Sequence, residues 1–578
     1  MSGVPPLGAY AARRCPVRVQ LDHDVEAGGL PRVVEGEAAR RRMDAGVDFE
    51  QRVFSLVSDG RPGAVRIAAG HRDLAPVATL AAMRDGAEVV VGGDLPDDVD
   101  MRRRGRPDLL VHSGAGWVPV DIKHHRLTDP KDGESLPCST LDGPLDPADA
   151  GRVDGVRFRR DRLADDALQL AHYWRMLERH GLAAPGTPTA GLVGRDERIW
   201  WVDLAAPIWT LWWSPEPVGT LAWYDHEFAF RLDVVAHTLR RNQDRSLPPK
   251  VVPVWTAECT SCPWRQVCRG ELEAADHVSL LPRSTYAHFV WHRRRDRLTR
   301  RAVAELDPTT AWVMHGDRSA SSKVDVAGLL TMAADVAPDT PIPAVIGKRK
   351  RTAVDRLAQA GVRTAGDVAK LDAATAAYEG AAVGHLPTII DWARAATSGR
   401  PWRARGVDRV EVPRADVEVD IDMESNEDGV YLWGTWVAGD DGHPDGYIPF
   451  VSWEPLTPEA EAAVFTDLWA CLGATRDRAH AAGRSFAAYY YTSAENTQMR
   501  RIVDRGQPGL PSREDIEAFI AAAEWVDLHA VLSTQLVTGH GVGLKAVAPL
   551  AGFHWRDDDP GGDQSTVWYE RAVADPGG

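Results

Sequence analysis

Residues 105–123 read GRPDLLVHSGAGWVPVDIK, and the reading of the first half of the chain turns on them. Leu109, Leu110 and Val111 make one extended apolar run, Gly114 and Gly116 punctuate a reversal, and Val118 and Val120 alternate with Trp117 and Pro119 in a second run. Two such runs around a glycine-rich reversal predict a β-hairpin. One acid, Asp108, stands at the start of its first strand, and another, Asp121, at the end of its second. The hairpin therefore brings both to one end of the sheet. Strand periodicity places Asp121 and Lys123 on the same face and turns Ile122 into the core. Two carboxylates and an ammonium then share one spot. Carboxylate oxygens suit Mg²⁺ or Mn²⁺, which keep several waters and bridge to phosphate oxygens. A lysine beside them can steady an attacking water or a charged transition state.

The chain holds 578 residues, enough for two to four domains, and 44% of them are hydrophobic, enough for well-buried cores. No apolar run reaches the ~18 residues that cross a bilayer. The opening MSGVPPLGAYAARR lacks the apolar core of a secretory signal, so a soluble, cytoplasmic protein with no membrane partner is expected. A net charge of −16 opposes a polyanionic partner. Local charge does not: Arg102, Arg103, Arg104 and Arg106 lead into Asp108, and Lys348, Arg349, Lys350 and Arg351 are consecutive. Arg104, Arg106, Lys348 and Lys350 are the candidate nucleic-acid contacts. Six cysteines are too few for a disulfide scaffold in so long a chain.

The pair Pro107-Asp108 with Asp121-Ile122-Lys123 resembles the PD-(D/E)XK nucleases, and other stretches extend that likeness to the RecB-like branch. Helical spacing around residue 44 onward puts Phe49, Val53, Leu56 and Val57 on one face and presents Glu50 toward the open end of the hairpin. Strands are expected at 65–69 and 87–91, a helix at 73–84, and a loop over the site from Lys123 to about 161. A helix over 165–180 carries Gln169 and Tyr173 on one face, i and i+4. A strand at 199–204 and a long helix at 224–241 follow. Then come Cys259, Cys262 and Cys268, with Cys15 far upstream and Cys138 and Cys471 isolated. By spacing alone a Cys-x-x-Cys pair reads first as zinc. The resemblance implies instead that Cys15, Cys259, Cys262 and Cys268 hold a [4Fe-4S] cluster tying the ends of the nuclease domain together. It also implies that Glu50 is a further ligand of the catalytic metal and that Gln169 and Tyr173 support the substrate side of the site.

From 276 to 404 the pattern is mostly helical. Residues 342–371 resemble a helix-hairpin-helix, in which backbone N–H groups cradle a phosphate without reading bases. After a Pro/Arg-rich linker the period changes to strands at 417–421 and 429–436. Asp422 and Glu424 on the first, with a later strand at 487–491 and Glu495 beyond it, resemble the YprB-type RNase H-like exonucleases, whose carboxylates bind paired divalent ions. Glu495 departs from the usual Asp. The last carboxylate of that group rides on a C-terminal helix, and none is expected after Tyr569, so this domain reads as incomplete or inactive.

The expected fold class is thus mixed α/β in three parts. These are a restriction-endonuclease-like core at 1–275, a helical module at 276–404 and an RNase H-like domain at 405–578. The expected activity is divalent-metal-dependent hydrolysis of DNA in repair or recombination, at ends or single strands. A noncatalytic nucleic-acid scaffold and an RNA-processing 3′–5′ exonuclease led by the C-terminal domain are the rivals. DNA against RNA, cleavage polarity, oligomeric state and a helicase partner stay open at this level.

Overall fold

The computed structural model describes residues 3–34, 36–68, 74–211, 213–315, 324–347, 351–372, 386–426, 428–556 and 562–574. The chain divides into two compact units, Met1–Glu271 and Leu272–Gly578, and both mix helix with sheet. The expected segments 276–404 and 405–578 lie together in the second unit.

The first unit runs α1 (Pro16–His23), α2 (Glu37–Ser58), β1 (Ala64–Arg66), α3 (Ala75–Arg84), β2 (Val89–Val91), β3 (Leu109–Ser113) and β4 (Gly116–Ile122). Then follow β5 (Thr128–Thr140), β6 (Gly151–Phe158), α4 (Arg160–Arg179), β7 (Thr189–Val193), β8 (Arg198–Asp203), α5 (Thr220–Gln243) and α6 (Arg265–Ala274). Its eight strands form one sheet in the order β1-β2-β3-β4-β7-β8-β5-β6. The hairpin β3–β4 pairs Leu109 with Val120 and Ser113 with Gly116, so the reversal is two residues, with Gly114 at φ +59°. That left-handed conformation costs a glycine little. β4 also pairs in parallel with β7, Asp121 opposite Leu192, which makes it an interior strand.

Every residue of β4 is buried because the sheet is covered on both faces. Leu109, Val111, Val118 and Val120 join Val53, Phe54 and Val57 of α2 in one cluster. Leu110 and Trp117 join Met83 of α3 and Met176 and Leu177 of α4 in another. The Leu110 side chain is wholly enclosed. Leu110→Ala should therefore cost about 2–5 kcal/mol of stability, seen as a lower denaturation midpoint in urea.

Three expectations are corrected here. Residues 124–161 are not a loop: β5 and β6 form a long antiparallel hairpin, with β5 also joined to β8. Its middle is exposed and polar, so backbone pairing rather than apolar alternation makes the strands, and a hydrophobic pattern could not show them. Helix α2 begins at Glu37, well before residue 44, and Leu56 on it is exposed rather than in the core. Strand β7 went unread because TAGLV is short and carries no alternation.

In the second unit a two-strand ribbon pairs β9 (Trp402–Arg403) with a distant partner, and a larger sheet contains β10 (Val417–Ser425), β11 (Val430–Ala438), β12 (Gly446–Val451), β13 (Phe486–Tyr490) and β14 (Trp525–Asp527). The order is β12-β11-β10-β13-β14. β10, β11 and β12 are antiparallel neighbours, whereas β13 runs parallel to β10 and β14 parallel to β13. Parallel pairing needs crossovers, and the helices Pro458–Ala481 and Arg513–Ala521 supply them. The helices Ile342–Ile346, Arg351–Gln359 and Ala365–Val368 close on a small core with Leu357 and Val368 at its centre. Lys348 and Lys350 lie outside the described residues.

A last described helix, Gly562–Ala574, contains Tyr569 and lies against β10. Tyr569 stacks on Tyr431 with ring centroids 4.1 Å apart. The sequence reading placed no helix at this point. Gly561 and Gly562 interrupt the pattern there, and it is the contact with β10 that fixes the turn-by-turn structure.

Candidate active site

Asp108 immediately precedes β3, and Asp121 and Lys123 end β4, so the hairpin register sets all three at one edge. Asp108 accepts a 2.6 Å hydrogen bond from the Ile122 backbone N–H, which joins the two strand ends directly. Asp121 and Lys123 form a close ion pair, with the carboxylate side chain 1% exposed and the ammonium side chain 12% exposed. Lys123 Nζ donates to Gln169 Oε1 at 2.8 Å, and Gln169 Nε2 lies 3.1 Å from both Asp121 Oδ1 and the Tyr173 hydroxyl oxygen. The helical spacing of Gln169 and Tyr173 thus brings both to the carboxylates, and the buried amide has every polar atom engaged.

Electrostatics agree with that convergence. Burial and then the neighbouring charges of Asp121 and Glu50 push the Asp108 carboxyl well above its ordinary range. Burial also raises Glu50, on α2, against the pull of Arg106, with Asp121 adding to the rise. Burial opposes the charge on Lys123, but Asp121 and Asp166 together outweigh it and hold the amine as an ammonium. Tyr173 is kept protonated by burial and by the negative charge of Asp121 and Asp108.

The sequence reading missed Asp166, His125 and His172. Asp166 lies 3.8 Å from Lys123 Nζ and 3.0 Å from His125 Nε2, so it links the histidine to the lysine. Asp166 precedes Gln169 by three residues, so helical periodicity carried the signal. His172 is fully buried: its Nε2 donates to the Arg104 carbonyl at 3.0 Å, and its Nδ1 receives the Tyr224 hydroxyl at 2.8 Å. Tyr224 in turn accepts from Arg103 Nε at 3.0 Å. This network anchors the arginine loop that delivers Asp108. Burial pushes the His172 pKa down to about 3, which keeps the ring neutral and fixes this tautomer.

Of the arginines, Arg103 is therefore a buried structural residue, paired with Asp98 at 2.8 Å. Arg104 is exposed and paired with Asp97 at 2.7 Å, and Arg106 faces Glu50. Gly105 lets the loop cross the helix, because a Cβ there would lie 2.8 Å from the Tyr173 ring.

The donor set fits a hard divalent cation. Asp121 Oδ2 is buried against the Lys123 ammonium, and buried carboxylate oxygens of this kind suit such an ion. Among the described residues no three His, Cys, Asp or Glu side chains are already converged on a single ion. In metal-free protein the raised Asp108 and Glu50 pKa values mean that the folded state binds more protons than the unfolded chain. Stability linked to these groups is therefore greatest at low pH and falls as pH rises from the usual carboxylate value toward the raised one. Asp108→Asn should overtake wild type in EDTA as pH rises above about 4, by at most about 1.4 kcal/mol per pH unit, in urea melts across a pH series.

Cys15, Cys259, Cys262 and Cys268 line one cavity with Val17, Val254 and Trp264. Cys15 caps α1, and its backbone N–H donates to Glu258 Oε1 at 3.0 Å, so the two ends of the unit meet there. Burial, with Cys15 and Cys262 adding charge, pushes the Cys268 thiol up to about 12, and burial also raises Cys15 and Cys262. Four soft donors around one cavity, with Cys15, Cys262 and Cys268 reluctant to ionise alone, fit a group that would bind them as thiolates. Cys138 is buried elsewhere, in the sheet.

In the second unit β10 carries Asp422 and Glu424, and Glu495 opens the helix Ala494–Asp504 beyond β13. Burial raises Asp422; burial plus Asp422 lifts Glu424 to about 7, against a hydrogen bond from Ser565. Burial, with Asp422 and Asp527 contributing, lifts Glu495 to about 7. Among the described residues Glu495 Oε2 is buried without a hydrogen-bond partner. Asp527, at the end of β14, is a further acid that the sequence reading overlooked. The terminal helix puts Ser565 beside Glu424.

Comparison of the chain with protein-family models, with curated proteins and with solved structures returned no match.

Proposed function

We propose that the first unit is a RecB-like, divalent-metal-dependent nuclease that hydrolyses phosphodiester bonds of DNA. The carrying observation is the convergence of Asp108, Asp121, Lys123, Gln169 and Tyr173 on one sheet edge, from β3, β4 and α4, with Glu50 of α2 in electrostatic range. Asp108, Asp121 and Glu50 would hold Mg²⁺ or Mn²⁺, which supplies a polarised phosphate oxygen and an activated water when bound. Lys123 stays an ammonium, so it offsets charge developing on the phosphate and does not take the water's proton. Gln169 orients Asp121 and Lys123 together, and Tyr173 as a protonated hydroxyl adds a donor to that array. Cys15, Cys259, Cys262 and Cys268 would carry a [4Fe-4S] cluster that fastens residue 15 to the end of the unit.

A second hydrolytic site in the RNase H-like sheet, at Asp422, Glu424 and Glu495, is favoured by the buried, unpartnered Glu495 oxygen. Cleavage of labelled single- and double-stranded DNA and RNA with Mn²⁺ by wild type, Asp121→Asn and Asp422→Asn separates these readings. Loss in Asp121→Asn alone supports the first. Loss in Asp422→Asn alone moves the chemistry to the second unit, and no cleavage by wild type sinks both.

A further inference from the structure

A second acid competes for the lysine of the first unit. Lys123 Nζ is paired with Asp121, donates to Gln169 Oε1 at 2.8 Å and stands 3.8 Å from Asp166 Oδ1. Asp166 lies on α4 about one turn before Gln169, with its side chain only 4% exposed. A buried carboxylate that near an ammonium pulls on it unless another cation claims the acid. His125 is that claimant. Its Nε2 lies 3.0 Å from Asp166 Oδ2, closer than the lysine, and its side chain is 30% exposed, so the ring is the solvent-facing end of a chain of contacts that runs inward to Lys123. Among the described residues no other side chain bonds the ring.

Backbone contacts hold the histidine in this place. Lys123 N–H donates to the Val193 carbonyl at 2.8 Å, which fixes the end of β4 against β7. His125 N–H donates back to the Lys123 carbonyl at 2.7 Å, and Arg195 N–H donates to the His125 carbonyl at 3.3 Å. This tight turn brings the ring to the face of α4 that bears Asp166, Gln169 and Tyr173. The charged and titratable groups around it are Asp166 from α4, Lys123 from the strand end and Arg195 from the turn between β7 and β8, with His124 and Arg126 beside it in the chain. Of these only Asp166 is an acid.

A histidine ring gains or loses its charge between about pH 5 and 8. As an imidazolium it neutralises Asp166, and the lysine stays with Asp121 and Gln169. As a neutral ring it leaves the full charge on Asp166, and that charge draws Lys123 away from Asp121. Resting on the nuclease reading of Asp108 and Asp121, we propose that His125 is a positioning residue: acting through Asp166, it decides whether the Lys123 ammonium is turned toward the scissile phosphate or held by the acid behind it. The proton that moves is the one on His125, since Lys123 remains an ammonium throughout.

Single-turnover cleavage of labelled DNA is measured on the full chain at saturating Mn²⁺, from about pH 5.5 to about pH 8.5, the range that spans histidine titration. Any pH dependence of the attacking water is common to all forms, so rates are compared as ratios at each pH. His125→Gln keeps a donor for Asp166 but carries no charge. Wild type should exceed it by about 2- to 5-fold at the acid end, the scale of one partly exposed ion pair, and the ratio should fall toward one at the alkaline end. His125→Lys, cationic over the whole range, should exceed His125→Gln by a similar factor at every pH. With Asp166→Asn in place, His125→Gln should change nothing further. Should His125→Gln not fold, the wild-type to His125→Lys ratio reads the same change, falling about 2- to 5-fold from the acid to the alkaline end. A ratio to wild type that stays level with pH, or a His125→Gln effect undiminished in Asp166→Asn, overturns the positioning role. Wild type that cleaves while the ratio stays level leaves the nuclease reading standing, whereas wild type that cleaves at no pH overturns both.

Discussion

Asp121→Asn should lower Mn²⁺-dependent DNA cleavage by at least about 10²- to 10³-fold, the scale on which one charge-stabilising group is lost from an enclosed site. Asparagine keeps the shape and can still meet Gln169, so the fold should hold. What disappears is the negative charge that Lys123 balances. Lys123 would then face mainly Asp166 at 3.8 Å, and an ammonium once shared between acid and substrate would turn toward that acid. Single-turnover cleavage at saturating Mn²⁺ reads the loss in the chemical step. Circular dichroism and an unchanged urea midpoint show that it is not unfolding. Retention of wild-type cleavage by Asp121→Asn would remove the first unit from the chemistry.

The second large effect is expected at the thiols. Cys268→Ser keeps the packing around Trp264 but removes one of four sulfur donors lining the cavity. Anaerobically purified wild type should contain iron and acid-labile sulfide and show broad visible absorbance; the variant should lose most of all three. Stability should fall with them. A group bridging residues 15 and 268 closes a very long loop, and the chain-entropy treatment of such a cross-link gives about 5 kcal/mol. Zinc in place of iron in the wild-type protein would overturn the cluster while preserving the staple, and a variant as stable as wild type would overturn the staple itself.

Much of the site could be read along the chain because its parts lie on regular elements. A two-residue hairpin forces Asp108 and Asp121 to one end of a sheet, strand alternation puts Lys123 beside Asp121, and a helical repeat puts Tyr173 one turn from Gln169. These are short-range consequences of backbone geometry. The β5–β6 hairpin resisted the same treatment because its polar middle gains little from burial and is set by backbone pairing. Arg103 misled for a related reason. A run of arginines reads as a solvated basic face until the fold supplies Asp98 and Tyr224 as partners for one of them.

By itself the sequence determined the hairpin, the spacing of its acids, the helix with Gln169 and Tyr173, and the close spacing of Cys259, Cys262 and Cys268. Only the tertiary structure decided that Asp166 and His125 back the lysine, that neutral His172 anchors the arginine loop, and that residue 15 meets residues 259–268. The division follows from distance along the chain. Local periodicity fixes neighbours a few residues apart, whereas contacts between segments more than a hundred residues apart exist only once burial has folded the sheet between its helices.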